Sequence, residues 1–128
     1  MSQHPHFISP VSWHRRYEDA IADAQANGRC VFLQHGQRTC AGSRALVEKV
    51  VAKEEIAEVL AKHFVCLASD VDATEPEVQA LLARSPTKLE RTPWCLYLAP
   101  DGRLLHATSG GRPAAVFLTD LIEAVAKK

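Results

Sequence analysis

The sequence predicts an α/β domain with a mixed central sheet, helices on both faces, and a β-hairpin followed by a helix at its C-terminal end. Three observations support this prediction. Short apolar runs alternate with helical patterns, the last two runs flank the turn signal Ala99-Pro100-Asp101-Gly102, and 128 residues suffice for one hydrophobic core. Strands separated by helices pair in parallel through right-handed crossovers, whereas a hairpin adds an antiparallel edge.

The first half of the chain predicts a helix, a buried strand and a second helical region. Ser12 is the predicted N-cap of a helix that ends at Asn27-Gly28. Residues 30–35, CVFLQH, form a short apolar run typical of a buried strand. Two apolar stripes within residues 43–64 predict either one long helix or two helices that meet near Lys53.

The second half predicts three further strands and two helices. Residues 64–72 are almost continuously apolar, which indicates a strand covered on both faces. A short helix is predicted over residues 75–85. Residues 94–98 and 103–108 are the predicted hairpin strands, and residues 112–128 form an amphipathic helical pattern. The predicted order is therefore αβααβαββα.

Composition and charge argue against several classes of protein. Fifteen Lys and Arg residues balance fifteen Asp and Glu residues, so the basic surplus of a nucleic-acid-binding protein is missing. The sequence contains no apolar run of about twenty residues for a membrane span, and no secretory pattern at its start. We expect a cytoplasmic protein, unless a leader has been removed, with an N-terminal tail over residues 1–11 and a single domain over residues 12–128.

The stretch Cys40-Ala41-Gly42-Ser43 has the spacing of a redox motif with serine at its fourth position. The thiolate is the nucleophilic form of cysteine, and free N–H groups at a helix start favour it. Arg38 and His35 would add positive potential if they faced the same side, although the sequence favours a solvent-facing loop position for His35. The competing interpretation is that Cys40 is a half-buried structural cysteine.

The order of these motifs resembles the thioredoxin-like superfamily. CVFLQH, a loop leading to Cys40, FVCLASDVD and TPWCLYLAPDGRLL follow one another in the family's order, from about Trp13 to Val125. The C-x-x-S form is most similar to anterior-gradient proteins and other single-cysteine relatives of protein disulfide isomerase. The resemblance implies a thioredoxin fold and thiol–disulfide chemistry on protein thiols, protein disulfides or glutathione, with no cofactor.

Thr92-Pro93 stands where this family carries a proline whose cis bond faces the active-site sulfur. The resemblance implies a cis bond here, whereas periodicity alone favours a trans proline that opens an edge strand. A cis bond would leave the backbone of Thr92 free to pair with an extended substrate segment. Trp94 either lines a partner groove or packs beneath the loop.

Three positions depart from the family pattern. The resolving cysteine is Ser43, the aromatic residue before the nucleophile is Thr39, and the buried acid six positions before the nucleophile is Gln34. Ser43 can donate a hydrogen bond to the Cys40 thiolate, but it cannot attack a mixed disulfide. Reductase activity by the dithiol route is therefore expected to be poor.

The other cysteines occupy predicted strands, which favours core packing for Cys30, Cys66 and Cys95. Cys95 follows Pro93 by two positions, so the alternative is that it resolves a mixed disulfide in place of Ser43. No two cysteines show the spacing of zinc ligands, and the six histidines are scattered. No metal site is predicted.

These observations support functions of different classes. The first is a monothiol exchange protein with Cys40 as nucleophile, Ser43 as hydrogen-bond donor, and Thr92-Pro93 as the substrate platform. The second is a non-catalytic module that holds a protein partner on the same surface. The third is a structural subunit of a larger assembly.

Overall fold

The computed structural model describes residues 3–128, which form five α-helices and four strands. The helices are α1 (Tyr17–Asn27), α2 (Ala41–Ala45), α3 (Glu54–His63), α4 (Pro76–Ala83) and α5 (Ala114–Lys127). The strands are β1 (Cys30–Gly36), β2 (Phe64–Asp70), β3 (Trp94–Leu98) and β4 (Leu104–Ser109). Over this range no helix has both the length and the apolar character that crossing a bilayer requires.

The four strands form one mixed sheet in the order β2-β1-β3-β4. Strand β1 pairs in parallel with β2 on one side and antiparallel with β3 on the other. Strands β3 and β4 form an antiparallel hairpin, closed by a hydrogen bond of 2.8 Å from the amide of Gly102 to the carbonyl of Ala99. The mixed sheet and the terminal hairpin confirm the predicted fold class.

Each face of the sheet has its own core, because successive strand residues point to opposite sides. One face carries Phe32 and Tyr97 and is covered by α3, α5 and the π-helical turn Leu46–Val50 that extends α2. The other face carries Leu33 and Leu96 and is covered by α1 and α4. This two-sided burial explains why β1 and the first half of β2 read as continuous apolar runs.

The second helical region consists of two elements that meet near Lys53, the second of the two predicted alternatives. The π-helical turn closes with a hydrogen bond of 2.9 Å from the amide of Val51 to the carbonyl of Leu46. Lys53 then has an extended backbone, with φ −60° and ψ 131°, and is the N-cap of α3. The bend lets both apolar stripes face the same core.

Helix α1 begins at Tyr17, so the prediction that Ser12 caps it is wrong. The residues before the helix pair with strand β2 instead. The His14 amide donates to the carbonyl of Cys66 at 2.8 Å, and the His14 carbonyl accepts from the amide of Ala68 at 2.9 Å. This backbone pairing with β2 and the complete burial of Trp13 override the local capping signal.

Residues 3–11, here called the N-terminal segment, pack against the domain, in contrast to the expected free tail that contains His4 and His6. Residues 1 and 2 of that predicted tail lie outside the described range. Phe7 is 8% exposed and joins the same core cluster as Trp13. The His4 ring stacks on Phe7 with centroids 5.2 Å apart and meets Trp13 edge-on at 4.9 Å. The burial of apolar side chains thus fixes the N-terminal segment against the domain, although its sequence shows neither a helical nor a strand pattern.

The packing of the N-terminal segment can be tested with two adjacent residues. We expect Phe7→Ala to lower the free energy of unfolding by about 3 kcal/mol, since it removes a buried aromatic side chain. Ile8, which is 84% exposed, is the matched control. We expect Ile8→Ala to change stability by less than about 0.5 kcal/mol. Urea denaturation measures both, and equal effects would contradict the packing.

Candidate functional site

Cys40 lies at the point where the loop after β1 enters α2. It is the N-cap residue of that helix, with an extended backbone at φ −85° and ψ 117°. Its amide donates to the carbonyl of Gln37 at 3.0 Å, which closes the loop. Its sulfur accepts from the amide of Ser43 at 3.5 Å and remains partly exposed. The thiol is therefore reachable from solvent and faces backbone donors.

The loop before β3 approaches the same sulfur from a distant part of the chain. The Thr92–Pro93 peptide bond is cis. The hydroxyl of Thr92 donates to Cys40 Sγ at 3.0 Å, and the Thr92 carbonyl lies 3.5 Å from that sulfur. A side chain at Gly42 would lie 3.2 Å from Pro93 Cδ, so glycine permits the close contact between the two loops.

The surroundings of Cys40 favour its ionised form. Partial burial by itself raises the pKa of the Cys40 thiol, but hydrogen bonds to the sulfur outweigh it. The donors are the hydroxyls of Ser43 and Thr92 and the backbone amides of Ser43 and Gly42. The net result is a pKa below the ordinary cysteine value. Hydrogen bonding, and not a neighbouring positive charge, produces the shift.

Ser43 is completely buried one turn into α2. Its hydroxyl oxygen accepts from the amide of Gln37 at 3.4 Å, and a hydrogen bond from its hydroxyl is among the causes that lower the pKa of Cys40. Ser43 therefore supports the loop and supplies donors to the thiol. Its oxygen cannot form a disulfide, so it has no part in resolving one.

Gln34 lies beneath the site on the side of the sheet that carries Phe32. It is 1% exposed, and its Oε1 lies 2.9 Å from Nε2 of His4. Gly36, two residues along the strand, lies against both Gln34 and Ser43. A Cβ at Gly36 would fall within 3.0 Å of Gln34 Nε2 and Ser43 Oγ. The missing side chain thus leaves the space that these two polar groups occupy.

His35 is a buried residue of β1, so the interpretation of it as a solvent-facing loop residue is wrong. The alternation of β1 turns it to the face opposite Gln34, where it is 2% exposed. Its Nδ1 lies 2.8 Å from the hydroxyl of Ser69, and its ring stacks on Trp94 with centroids 5.1 Å apart. Burial lowers the pKa of His35, which favours the neutral ring. Trp94, the first residue of β3, therefore packs against the His35 ring at this end of the sheet.

Arg38 is exposed on the loop before Cys40. Its side chain has no hydrogen bond or ion pair with any residue of the described range. The nearby cation Arg44 is engaged elsewhere, since its Nε donates to Glu48 at 2.8 Å. Neither arginine is among the groups that lower the pKa of Cys40.

The other three thiols lie inside the domain. Cys30, Cys66 and Cys95 are each at most 4% exposed and belong to one core cluster. Burial raises the pKa of Cys95 to about 12, which suppresses the thiolate that could attack a mixed disulfide. The structure thus favours core packing over the alternative that Cys95 resolves a disulfide formed at Cys40.

A group of possible metal ligands lies on the far side of the domain. His106, Asp120 and Glu123 bring one ligand atom each to within 4.8 Å of one another. Both oxygens of Asp120, however, accept from the guanidinium of Arg112 at 2.9 and 3.1 Å. This arrangement is a partly buried ion pair, and a metal cation could bind Asp120 only by displacing the guanidinium of Arg112.

Comparison with known proteins identifies the architecture. A family described as thioredoxin-like matches residues 12–100. The chain belongs to the thioredoxin-like family. This membership confirms the resemblance to the thioredoxin-like superfamily.

Solved thioredoxin-like structures superpose on nearly the whole chain. A thioredoxin from Thermus thermophilus covers 99% of this chain and 90% of its own, with 27% identity and a TM-score of 0.73. A disulphide isomerase from Xylella fastidiosa Temecula1 covers 92% of both chains, with 20% identity and a TM-score of 0.62. The mouse (Mus musculus) Spermatogenesis-associated protein 20 is 29% identical over 65 residues, which are 51% of this chain. The matched part spans 8% of that mouse protein.

Several contacts of the site were not found from the sequence of this thioredoxin-like chain. Thr92 was expected to contribute its backbone, and the hydrogen bond from its hydroxyl to the sulfur was not expected. Gly36 and His4 gave no local signal. The apolar residues within residues 3–11, Phe7 among them, are the one sequence signal from which the packing of the N-terminal segment could have been predicted.

The space at Gly36 leads to a test of stability. We expect Gly36→Ala to cost about 1–3 kcal/mol, since the new methyl group must displace Gln34 or Ser43. Gly111 is the control, because a Cβ there would meet no atom within 4 Å. We expect Gly111→Ala to change stability by less than about 0.5 kcal/mol. Denaturant unfolding of both variants gives the comparison.

The hydroxyl of Thr92 leads to a test of ionisation. We expect Thr92→Val, which removes the donor and keeps the shape, to raise the pKa of Cys40 by about half a unit to one unit. The rate of Cys40 alkylation against pH measures this, and its midpoint should move to higher pH. Thr119→Val on the exposed side of α5 is the control. An unchanged midpoint in Thr92→Val would contradict the role of the hydroxyl.

Proposed function

We propose that this thioredoxin-like protein is a monothiol exchange protein that forms mixed disulfides with protein or glutathione disulfides through Cys40. The observation that carries the proposal is the hydrogen bond of 3.0 Å from the Thr92 hydroxyl to the Cys40 sulfur. A hydroxyl donor at this distance stabilises a thiolate more than a thiol, because bonds to an ionised acceptor are the stronger ones. Cys40 combines this donor with access to solvent.

The proposed chemistry is an exchange without net oxidation. The Cys40 thiolate attacks one sulfur of a substrate disulfide, forms a mixed disulfide, and releases the other substrate sulfur as a thiolate. A second thiolate, from the same substrate or from glutathione, then attacks the substrate sulfur of the mixed disulfide. Cys40 leaves as a thiolate and a new disulfide remains on the substrate side. Electrons balance, so no cofactor is needed.

The residues around the sulfur have separate roles in this proposal. Cys40 is the nucleophile, while hydrogen bonds from Thr92 and Ser43 stabilise the negative charge on its sulfur. The Thr92 backbone before the cis Pro93 is the platform for an extended substrate segment. Trp94 flanks this platform at the end of the sheet. Arg38 is free to contact a substrate from the exposed loop.

A second candidate is a binding module that uses the same surface to hold a protein partner. The serine at position 43 and the burial of Cys95 favour it, because the first has no thiol and the second is not accessible to release a partner once a mixed disulfide has formed. In this case the thiol is incidental or tethers the partner. A cysteine-free peptide ligand would then bind wild type and Cys40→Ser with the same Kd.

Oxidised glutathione provides a defined test of the exchange function. We expect the native protein at pH 7 to gain one glutathionyl group at Cys40, with release of one glutathione, as seen by intact mass and peptide mapping. Cys40→Ser should gain none, because the other three thiols are buried. Failure of wild type to react faster than free cysteine at the same pH would refute the exchange function.

Cys95→Ala is the companion variant in this experiment. We expect the same persistent glutathionyl adduct as in wild type, since Cys95 lies in the core. If wild type instead lost the adduct and formed a Cys40–Cys95 disulfide while Cys95→Ala kept the adduct, the mechanism would be a two-thiol mechanism.

A further inference from the structure

The N-terminal segment places one imidazole in a fixed orientation beneath the thiol site. His4 is 6% exposed, and its Nδ1 accepts from the amides of His6 at 3.1 Å and Phe7 at 3.3 Å. Two donors at Nδ1 require a lone pair there, so the neutral ring carries its proton on Nε2. The Nε2–H group therefore donates to Oε1 of Gln34 at 2.9 Å.

This contact fixes which end of the Gln34 carboxamide lies on the side of Gly36 and Ser43. Since Oε1 is directed at His4, Nε2 is directed the other way, into the space beside Gly36. This nitrogen is buried and finds no hydrogen-bond partner within residues 3–128. Ser43 Oγ reaches the same space, since both atoms approach the position that a Gly36 side chain would take. A buried donor without a hydrogen-bond partner in the described residues thus shares this space with the Ser43 hydroxyl.

The orientation matters because the two ends of a carboxamide have opposite hydrogen-bonding roles. An amide nitrogen beside Ser43 donates and cannot accept, so it leaves the hydroxyl hydrogen of Ser43 for the Cys40 sulfur. A carboxamide turned by half a rotation would place Oε1 beside Ser43. That oxygen would compete with the sulfur for the single hydroxyl hydrogen.

We propose that His4 is a positioning residue for the Cys40 site: it holds the Gln34 oxygen away from Ser43 and so reserves the Ser43 hydroxyl for the sulfur. The inference rests on the proposed exchange function, because it concerns the reactivity of the same thiol. The N-terminal segment, outside the sheet and helices, thereby becomes part of the site.

His4→Phe tests the proposal. The phenyl ring keeps the stacking on Phe7 and the edge contact with Trp13, but it has no donor for Gln34. We expect the alkylation midpoint of Cys40 to rise by about half a unit to one unit, which is a three- to tenfold loss of thiolate below the midpoint. The buried thiols contribute little to the signal, since burial raises the pKa of Cys30, Cys66 and Cys95.

The double variant His4→Phe with Gln34→Met separates positioning from general loosening. Methionine has about the length of glutamine but offers no carbonyl oxygen to Ser43. We expect it to return the midpoint to within about 0.3 units of wild type, a shift that is about twofold in thiolate fraction. A merely structural role of His4 predicts no such rescue. His6→Phe is the matched control in the same segment, since His6 pairs with Asp70 and not with Gln34.

The outcomes distinguish this inference from the proposed function. A wild-type Cys40 midpoint at or above the ordinary cysteine value would refute the exchange function itself. A depressed wild-type midpoint that His4→Phe leaves unchanged would refute the positioning role alone. The same would follow if the double variant kept the raised midpoint, or if His6→Phe raised it equally. Thermal melting of each variant confirms that the compared chains are folded.

Discussion

The register of β1 against β3 is the constraint on which the site depends. His35 pairs with Trp94 across the antiparallel strands, so the loop that leaves β1 and the loop that enters β3 lie at the same end of the sheet. Two residues separated by 52 positions, Cys40 and Thr92, come within hydrogen-bond distance as a result. The sheet thus brings a donor from a distant part of the chain to the sulfur, and this contact joins those of Ser43 and Gly42 in lowering the pKa of the thiol.

The two-residue period of β1 decides which polar side chains belong to the site. Gln34 and His35 are adjacent in sequence, yet one lies beneath the thiol and the other packs on the opposite face against Trp94. A shift of register by one residue would exchange them and place an imidazole under the sulfur. At the position where the resemblance implies a buried acid, this chain has a neutral pair, in which Gln34 accepts from His4. Directional hydrogen bonding therefore takes the place of charge at this position.

The sequence predicted the strands, the hairpin and the place of Cys40 well, because each depends on local periodicity and turn residues. It could not predict contacts that depend on two distant segments meeting, such as the Thr92 hydroxyl at the sulfur or His4 at Gln34. The predicted cap at Ser12 failed for the same reason, since pairing with β2 competes with a local signal. His35 was misplaced because the strand extends to Gly36, one residue beyond the predicted end.

The pairing of His14 with β2 also changes how the sheet can meet other chains. A sheet edge with unpaired N–H and C=O groups is a template on which another strand can add. The carbonyl of Cys66 and the amide of Ala68, which lie on the outer side of β2, are already bonded to His14. The stretch around His14 thus blocks intermolecular strand addition at the middle of this edge. The residues that connect the N-terminal segment to α1 therefore also protect the fold from edge-to-edge aggregation.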